Sequence, residues 1–419
     1  MTSVAHQAWF TNPNLRRVMD MLNADGGEGR VVGGAVRNAL MDMEIGDVDI
    51  ATTLLPEEVI ARAKAAGLKP IPTGIAHGTI TVICNSEAFE ITTLRTDKET
   101  DGRHAEVAFG TDWQVDAERR DLTINALYAD INGDIIDLIG GLDDIGPRNV
   151  RFIGDAAKRI EEDHLRILRF FRFFAYYGSG RPDAEGLRAS ARAKESINKL
   201  SSERIWSEMK KLLSAPDPSR ALLWMRQMGV LNVVFPESEK WGIDAIHGLI
   251  ESEKSFGWPH DPILRLAAIV PPDEERLRAL GNRLRFSNAE KERLIVWARA
   301  PNIEPTLAGT ALDRLLYRLG SDGVLMRLKL ALSSARAFHD GSAASIEKVV
   351  GFSNLLARAE KFTRPTLPVG GADLIAAGVK PGPDLGRILG DLEDKWLSSN
   401  FTTSREKLLS MVTPTGDGA

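Results

Sequence analysis

The chain has 419 residues, 43% hydrophobic and 26% charged, with a formal net charge of −5; that length exceeds one ordinary core and predicts two to four domains or a string of helical modules. No apolar run approaches the ~20 residues that span a bilayer, and MTSVAHQAWFTNPNLRR lacks the basic start and apolar stretch of a signal peptide. The single cysteine, Cys84, excludes an internal disulfide and a multi-thiolate zinc site. We therefore expect a cytoplasmic protein with no membrane partner. The acidic balance gives no global sign of nucleic acid, so such a partner must be met by local charge. Residues 151–210 carry 13 Lys and Arg against 9 Asp and Glu, a surplus that a solvated helical face also explains.

Residues 1–150 alternate strand-like pieces, RVVGG, GDVDIAT, HGTITVIC, AFEITTLR and GDIIDLIG, with helical patterns at 56–66 and around 120–127. Beyond residue 150 the strand signal fades. Helix-period segments follow at 157–177, 203–214, 218–228, 261–270, 288–299 and 384–398, punctuated by GSGRPD, SAPDP, PPDEE and FTRPTLPVGG. The reading is an α+β head followed by an all-helical remainder, with the terminal TPTGDGA expected to be disordered.

Asp47 and Asp49 stand two apart in GDVDIAT. On a strand both carboxylates emerge on one face, ~7 Å apart at Cα. Such a pair can hold Mg²⁺, which takes one or two carboxylates and fills its shell with waters and substrate phosphates; a lone DxD equally fits a solvated strand edge. Upstream, RVVGGAVRNAL reads as strand, Gly33-Gly34 turn and helix, which lets backbone N–H groups approach a triphosphate. Arg37, one turn in, is placed to meet a phosphate oxygen.

Together these segments resemble the DNA polymerase β-type nucleotidyltransferases, specifically the bacterial tRNA nucleotidyltransferase/poly(A) polymerase family, whose first motif has the form GGxVRDxLLGxxxxDxDxxT. Asn38 departs from the motif's Asp, and LMD at 40–42 departs from LLG. The resemblance implies a metal-dependent enzyme with a head at 1–150, a neck at 151–215, a body at 216–300 and a tail at 301–419 that helps hold tRNA. Asp47 and Asp49 would be the catalytic metal ligands, with Glu90 a candidate third. ERRDLTINALYAD resembles the second motif, in which RRD opens a helix and Arg120 and Asp121 contact the nucleotide. EEDHLRILRFFRF matches EDxxR through Glu162, Asp163 and Arg166.

Asp163 and Arg166 at i,i+3 are expected to share a helix face. Asp163 accepts from the exocyclic amine of cytosine or adenine and Arg166 donates to the adjacent ring acceptor, contacts that guanine and uracil reverse. Arg169 and Arg172 continue that stripe toward the nucleotide, although the same spacing suits an amphipathic helix with solvent-facing arginines. Asp137 and Gly141 resemble a hinge motif, and Arg204 with Glu208, an i,i+4 pair, resembles the motif bracing the template helix. The charged stretch TDKETDGRHAEVAF is expected to be a mobile loop. His260-Asp261 lacks the further ligands of an HD metal site and reads as a helix start.

The function this implies is CCA addition to the 3′ end of tRNA from CTP and ATP with pyrophosphate release. The alternatives are a poly(A) polymerase, an enzyme limited to CC or to A addition, and a catalytically silent RNA-binding homologue. The basic, Arg-rich features of the poly(A) branch are missing at IAHGTITVI and at the C-terminus.

Overall fold

The structure, a computed structural model, describes residues 2–97, 107–239 and 245–412; most of the expected mobile loop and all of TPTGDGA lie outside them. The chain divides into two compact units, Met1–Val234 and Phe235–Ala419.

In the first unit the strands are β1 (Gly29–Val32), β2 (Asp49–Thr52), β3 (Lys69–Gly74), β4 (Thr79–Cys84), β5 (Glu87–Thr93), β6 (Arg95–Asp97), β7 (Val107–Phe109), β8 (Leu127–Ala129) and β9 (Ile135–Asp137). A seven-stranded sheet runs β3-β4-β5-β2-β1-β8-β9, with β6 and β7 forming a separate ribbon. β2 pairs with β5 in parallel, whereas β1 pairs antiparallel with both β2 and β8. Alternation sends Ile80, Val82 and Cys84 of β4 inward.

The helices of this unit are α1 (Pro13–Asn23), α2 (Gly34–Leu40), α3 (Pro56–Ala65), α4 (Trp113–Glu118), α5 (Leu142–Ile145), α6 (Ala156–Glu162), α7 (Arg166–Tyr177), α8 (Ala184–Ala193), α9 (Ser202–Leu213), α10 (Ser219–Gln227) and α11 (Val230–Val234). On the face bearing Val32, Ala51 and Tyr128, Trp113 and Ala117 of α4 complete a buried cluster with Leu94, Ala126 and Ile153.

Three expectations are corrected by the structure. The strand expected over GDVDIAT begins only at Asp49, so Asp47 precedes it. RRD closes α4 rather than opening a helix, because Leu122 is extended and bridges to Phe152, and the residues after it enter a 3₁₀ turn and then β8. The helix expected at 157–177 is two helices. Asp163 ends α6 in an extended conformation, and its Oδ1 and carbonyl accept from the backbone N–H groups of Leu165 (3.0 Å) and Arg166 (3.0 Å). A short acidic side chain that caps backbone donors competes with helix continuation.

Asp137 ties the edge of the sheet to α5. Its carboxylate accepts from the N–H groups of Ile139 (3.2 Å), Gly140, Gly141 and Leu142 (each 2.9 Å). A Cβ at Gly141 would stand 2.4 Å from the Thr123 carbonyl oxygen, so this turn packs against backbone and only glycine fits.

The second unit is helical throughout its described residues, from α12 (Ala245–Phe256), α13 (Pro262–Ile269), α14 (Glu274–Arg283) and α15 (Asn288–Arg299) to α16 (Gly309–Leu319), α17 (Ser321–Ala337), α18 (Ala343–Glu360), α19 (Gly371–Ala376), α20 (Pro383–Ser398) and α21 (Arg405–Leu409). One core joins Leu312, Leu328 and Leu356. Another joins Leu374, Leu392, Trp396 and Leu408, with Leu385, Ile388 and Leu389 against it, the inward stripe expected of α20. Asp261 caps α13 through the N–H groups of Ile263 and Leu264 and pairs with Arg293, a helix start rather than a metal site. No helix among the described residues is long and apolar enough to cross a membrane.

Asp137→Ala leaves four amides of one turn without their acceptor. It should destabilise the protein by about 2 to 3 kcal/mol, read as a lowered urea midpoint with unchanged slope.

Candidate active site

A cleft of about 590 Å³ opens over the β1–β2–β5 part of the sheet. Register sets its floor: Tyr128 pairs with Val32, Val32 with Asp49, and Asp49 with Glu90, so these four side chains form a row on one face across four strands. The row ends in two adjacent carboxylates. Asp47, exposed and just ahead of β2, adds a third charge nearby. Among the described residues no cation forms a salt bridge with these three. Although the Asp49 carboxyl opens to the cleft, desolvation by surrounding protein, then Glu90 and then Asp47 push its pKa up to about 6, against a smaller downward pull from Arg120.

The Gly33-Gly34 turn forms the rim. Gly33 has φ +72°, a conformation that side chains strain, and its N–H donates to the Leu127 carbonyl (3.1 Å). Arg37 lines the cleft but is 5% exposed and already engaged. It donates to Tyr177 Oη (2.7 Å), to the Asn125 amide oxygen and to Asn38 Oδ1 (2.9 Å), and stacks 3.8 Å from the Tyr177 ring. Burial lowers its pKa. Asn38 also donates to the Glu44 carbonyl (2.7 Å). An aspartate accepts from Arg37 but lacks that donor, so Asn38 does both at once.

The opposite wall is cationic, and each cation has a carboxylate behind it. Arg120 donates to Asp116 Oδ2 (3.1 and 2.9 Å) and to Tyr128 Oη (3.2 Å). Arg169 pairs with Asp121 (2.6 Å), which also accepts from Asn125 and from the Leu122 N–H. Burial raises the Asp121 pKa, but Arg169 and these bonds outweigh it and hold the group below the ordinary carboxylate range.

Asp163 and Arg166 both line the cleft, but the shared helix face does not exist, since one ends α6 and the other begins α7. Arg166 donates to Glu162, to the Arg159 carbonyl (2.9 Å) and to the Arg119 carbonyl (3.3 Å). Arg204 and Glu208 do not pair with each other. Arg204 bonds Asp163 (2.7 Å) and Glu208 bonds Arg172 (2.5 Å), so α9 grips the acid of one helix junction and the arginine of the next helix.

The structure thus brings Gly33, Gly34, Arg37, Asp49, Glu90, Arg120, Asp121, Asp163, Arg166 and Arg169 to one cleft, whereas Asp47 and Arg172 lie outside its lining. Asp116, Asn125, Tyr128 and Tyr177 escaped the sequence reading. Only Asp116 had a signal, at i,i+4 from Arg120.

The acidic pair thus lies on two inner strands of the sheet, in one cleft with anchored arginines, and residues 29–151 match the family described as Poly A polymerase head domain. Residues 182–241 match the probable RNA and SrmB-binding site of polymerase A. The chain is 32% identical to CCA tRNA nucleotidyltransferase 1, mitochondrial, of Mus musculus, over 99% of this chain and 93% of that one. It is 30% identical to the CCA-adding enzyme of Levilactobacillus brevis, over 95% and 96%. A crystal structure of the Bacillus stearothermophilus CCA-adding enzyme in complex with CTP aligns with TM-score 0.70 at 27% identity, covering 95% of each chain. The chain belongs to the family of CCA-adding tRNA nucleotidyltransferases.

Ionised Asp49 is disfavoured in the folded state because its pKa is raised from 3.8 to about 6. Its charge therefore costs stability at neutral and higher pH and nothing once it is protonated in both states, below about pH 4. Asp49→Asn should raise Tm in metal-free buffer at pH 8, and the difference should close at pH 4.

Proposed function

We propose that this chain adds CCA to the 3′ end of tRNA, taking CTP and ATP, without a nucleic-acid template. The observation that carries this is one cleft holding both an acidic floor, Asp49 beside Glu90, and the Asp163/Arg166 pair.

The donor set suits a hard divalent cation. Asp49 and Glu90, side by side and without a salt-bridged partner among the described residues, with the Asp49 pKa raised to about 6 by desolvation and then by Glu90 and Asp47, are relieved by positive charge and offer only oxygen. Asp47 and Asp49, with Glu90 as a third donor, would hold Mg²⁺. When bound, the ion supplies charge for the attacking 3′-oxygen and the departing pyrophosphate.

The remaining roles belong to the chain's own side chains. The Gly33-Gly34 turn admits the triphosphate close to backbone. Arg120, Arg169 and Arg172, with Arg37 behind them, set a positive field along it, and Asp121 contacts the sugar. Asp163 accepts from the exocyclic amine of C or A while Arg166 donates to the neighbouring ring acceptor. Arg204 and Glu208 hold that segment from α9. We place the activity in the cytoplasm, where the single free, buried Cys84 suits a reducing compartment.

Incubated with tRNA ending before CCA, the protein should add C, C and A from CTP plus ATP and stop, as sequencing of the products would show. A long A tract would support the polymerase alternative. Asp49→Asn should reduce incorporation by a factor of about 10³ or more while tRNA binding persists. Asp163→Ala should lose discrimination against UTP and GTP, and unchanged selectivity would exclude the template role.

A further inference from the structure

Arg120 is placed where it threatens the acidic floor. A Cβ at Gly33 would lie 3.9 Å from its Nη1, and Gly33 directly follows Val32, the register partner of Asp49. The guanidinium therefore lies near the end of β1, the strand next to that of Asp49, and both residues line the same cleft. Adjacent strands lie about 4.8 Å apart, well within the swing of an arginine side chain. An arginine seated on Asp49 and Glu90 would neutralise them and occupy the place of a cation.

Two buried groups prevent that. Asp116, on α4, is 3% exposed. Its Oδ2 takes two bonds from Arg120 and one from Tyr128 Oη (2.9 Å), and its Oδ1 faces Arg119 (3.3 Å). Tyr128 is fully buried at the far end of the floor row, accepts from Arg120 Nε (3.2 Å), and lies with its ring 5.3 Å from the guanidinium. Asp116 keeps its charge despite burial, because Arg120 and the Tyr128 hydroxyl outweigh desolvation and hold its pKa low.

We propose that Asp116, with Tyr128, is a positioning residue that holds Arg120 off the Asp49–Glu90 carboxylates, leaving Arg120 available to nucleotide phosphates and the carboxylates available to a divalent cation. This rests on the reading of those carboxylates as a metal site. Once Asp116 is replaced, Arg120 becomes a competitor for that site, so removing Arg120 as well should restore cation binding. A merely structural role for Asp116 predicts the reverse, since the second substitution only deepens the damage.

The test is direct Mn²⁺ binding to the full chain, without tRNA or nucleotide, followed by electron paramagnetic resonance of the free ion. Relative to the unmodified protein, Asp116→Asn should raise the half-saturating Mn²⁺ concentration roughly fivefold, the size of one partly exposed ion pair. Asp116→Asn with Arg120→Ala should return it to the starting value. Tyr128→Phe, which keeps the ring and removes the hydroxyl's bonds to Arg120 and Asp116, should show a smaller rise that Arg120→Ala also reverses, and this second cycle decides the matter if Asp116→Asn does not fold. Unchanged Mn²⁺ binding in folded Asp116→Asn, or weak binding that persists in the double variant, overturns the proposal. If the unmodified chain binds no Mn²⁺, or Asp49→Asn binds it equally well, the metal reading falls too.

Discussion

Two carboxylates set side by side on neighbouring parallel strands repel each other at a spacing the backbone fixes. Asp49 and Glu90 are register partners between β2 and β5, so neither can move away without breaking the sheet beneath them. The flanking β1–β2 and β4–β5 pairings lock that register through Ile50, Ile91 and Ile80 on the opposite, buried face, because a one-residue slip would turn the isoleucines into the cleft. The hydrophobic side of the sheet thus supplies the force that holds like charges together on the other side.

The rest of the cleft answers that concentration of charge. Three of its arginines have an acid at their back: Asp116 behind Arg120, Asp121 behind Arg169, Glu162 beside Arg166. Arg172 and Glu208 repeat the pattern one turn further along α7. A buried or half-buried cation needs such a partner to remain in place, and each partner also spends some of the charge that would otherwise reach the floor. Each such pair fixes a guanidinium in the wall, which is how a chain of net charge −5 can still set arginines opposite an acidic floor.

Much of this was legible in residue order. The Gly33-Gly34 turn, the strand ending at Thr52, the long helical half and the inward stripe of α20 all follow from short-range rules of turn chemistry and periodicity. Glu90 could be named as a neighbour of the aspartates, but its in-register pairing depends on a parallel contact between segments some forty residues apart, to which no local pattern points. Tyr128 was hidden for the opposite reason. Its surroundings, TINALYAD, read as helix, and the β8 pairing to β1 overrode that preference. Arg37 shows how a motif residue can be right in place and different in environment: it lines the cleft, yet Tyr177, Asn125 and Asn38 already occupy its donors.

The break between α6 and α7 changes what base selection would depend on. On a continuous helix, the separation of Asp163 and Arg166 would follow from helix geometry alone and be nearly insensitive to the rest of the protein. Here Asp163 sits in a turn stitched by its own carboxylate and carbonyl, and its second oxygen is held by Arg204 from α9. Arg166 is held separately, by Glu162 and by carbonyls of residues 159 and 119. The two proposed reading groups are therefore held by different side chains, and Arg166 touches the backbone of the segment that also carries Arg120 and Asp121. A shift of that segment would bear on Arg166 directly, and on Asp163 only through α6, whose Glu162 and Arg159 also hold Arg166.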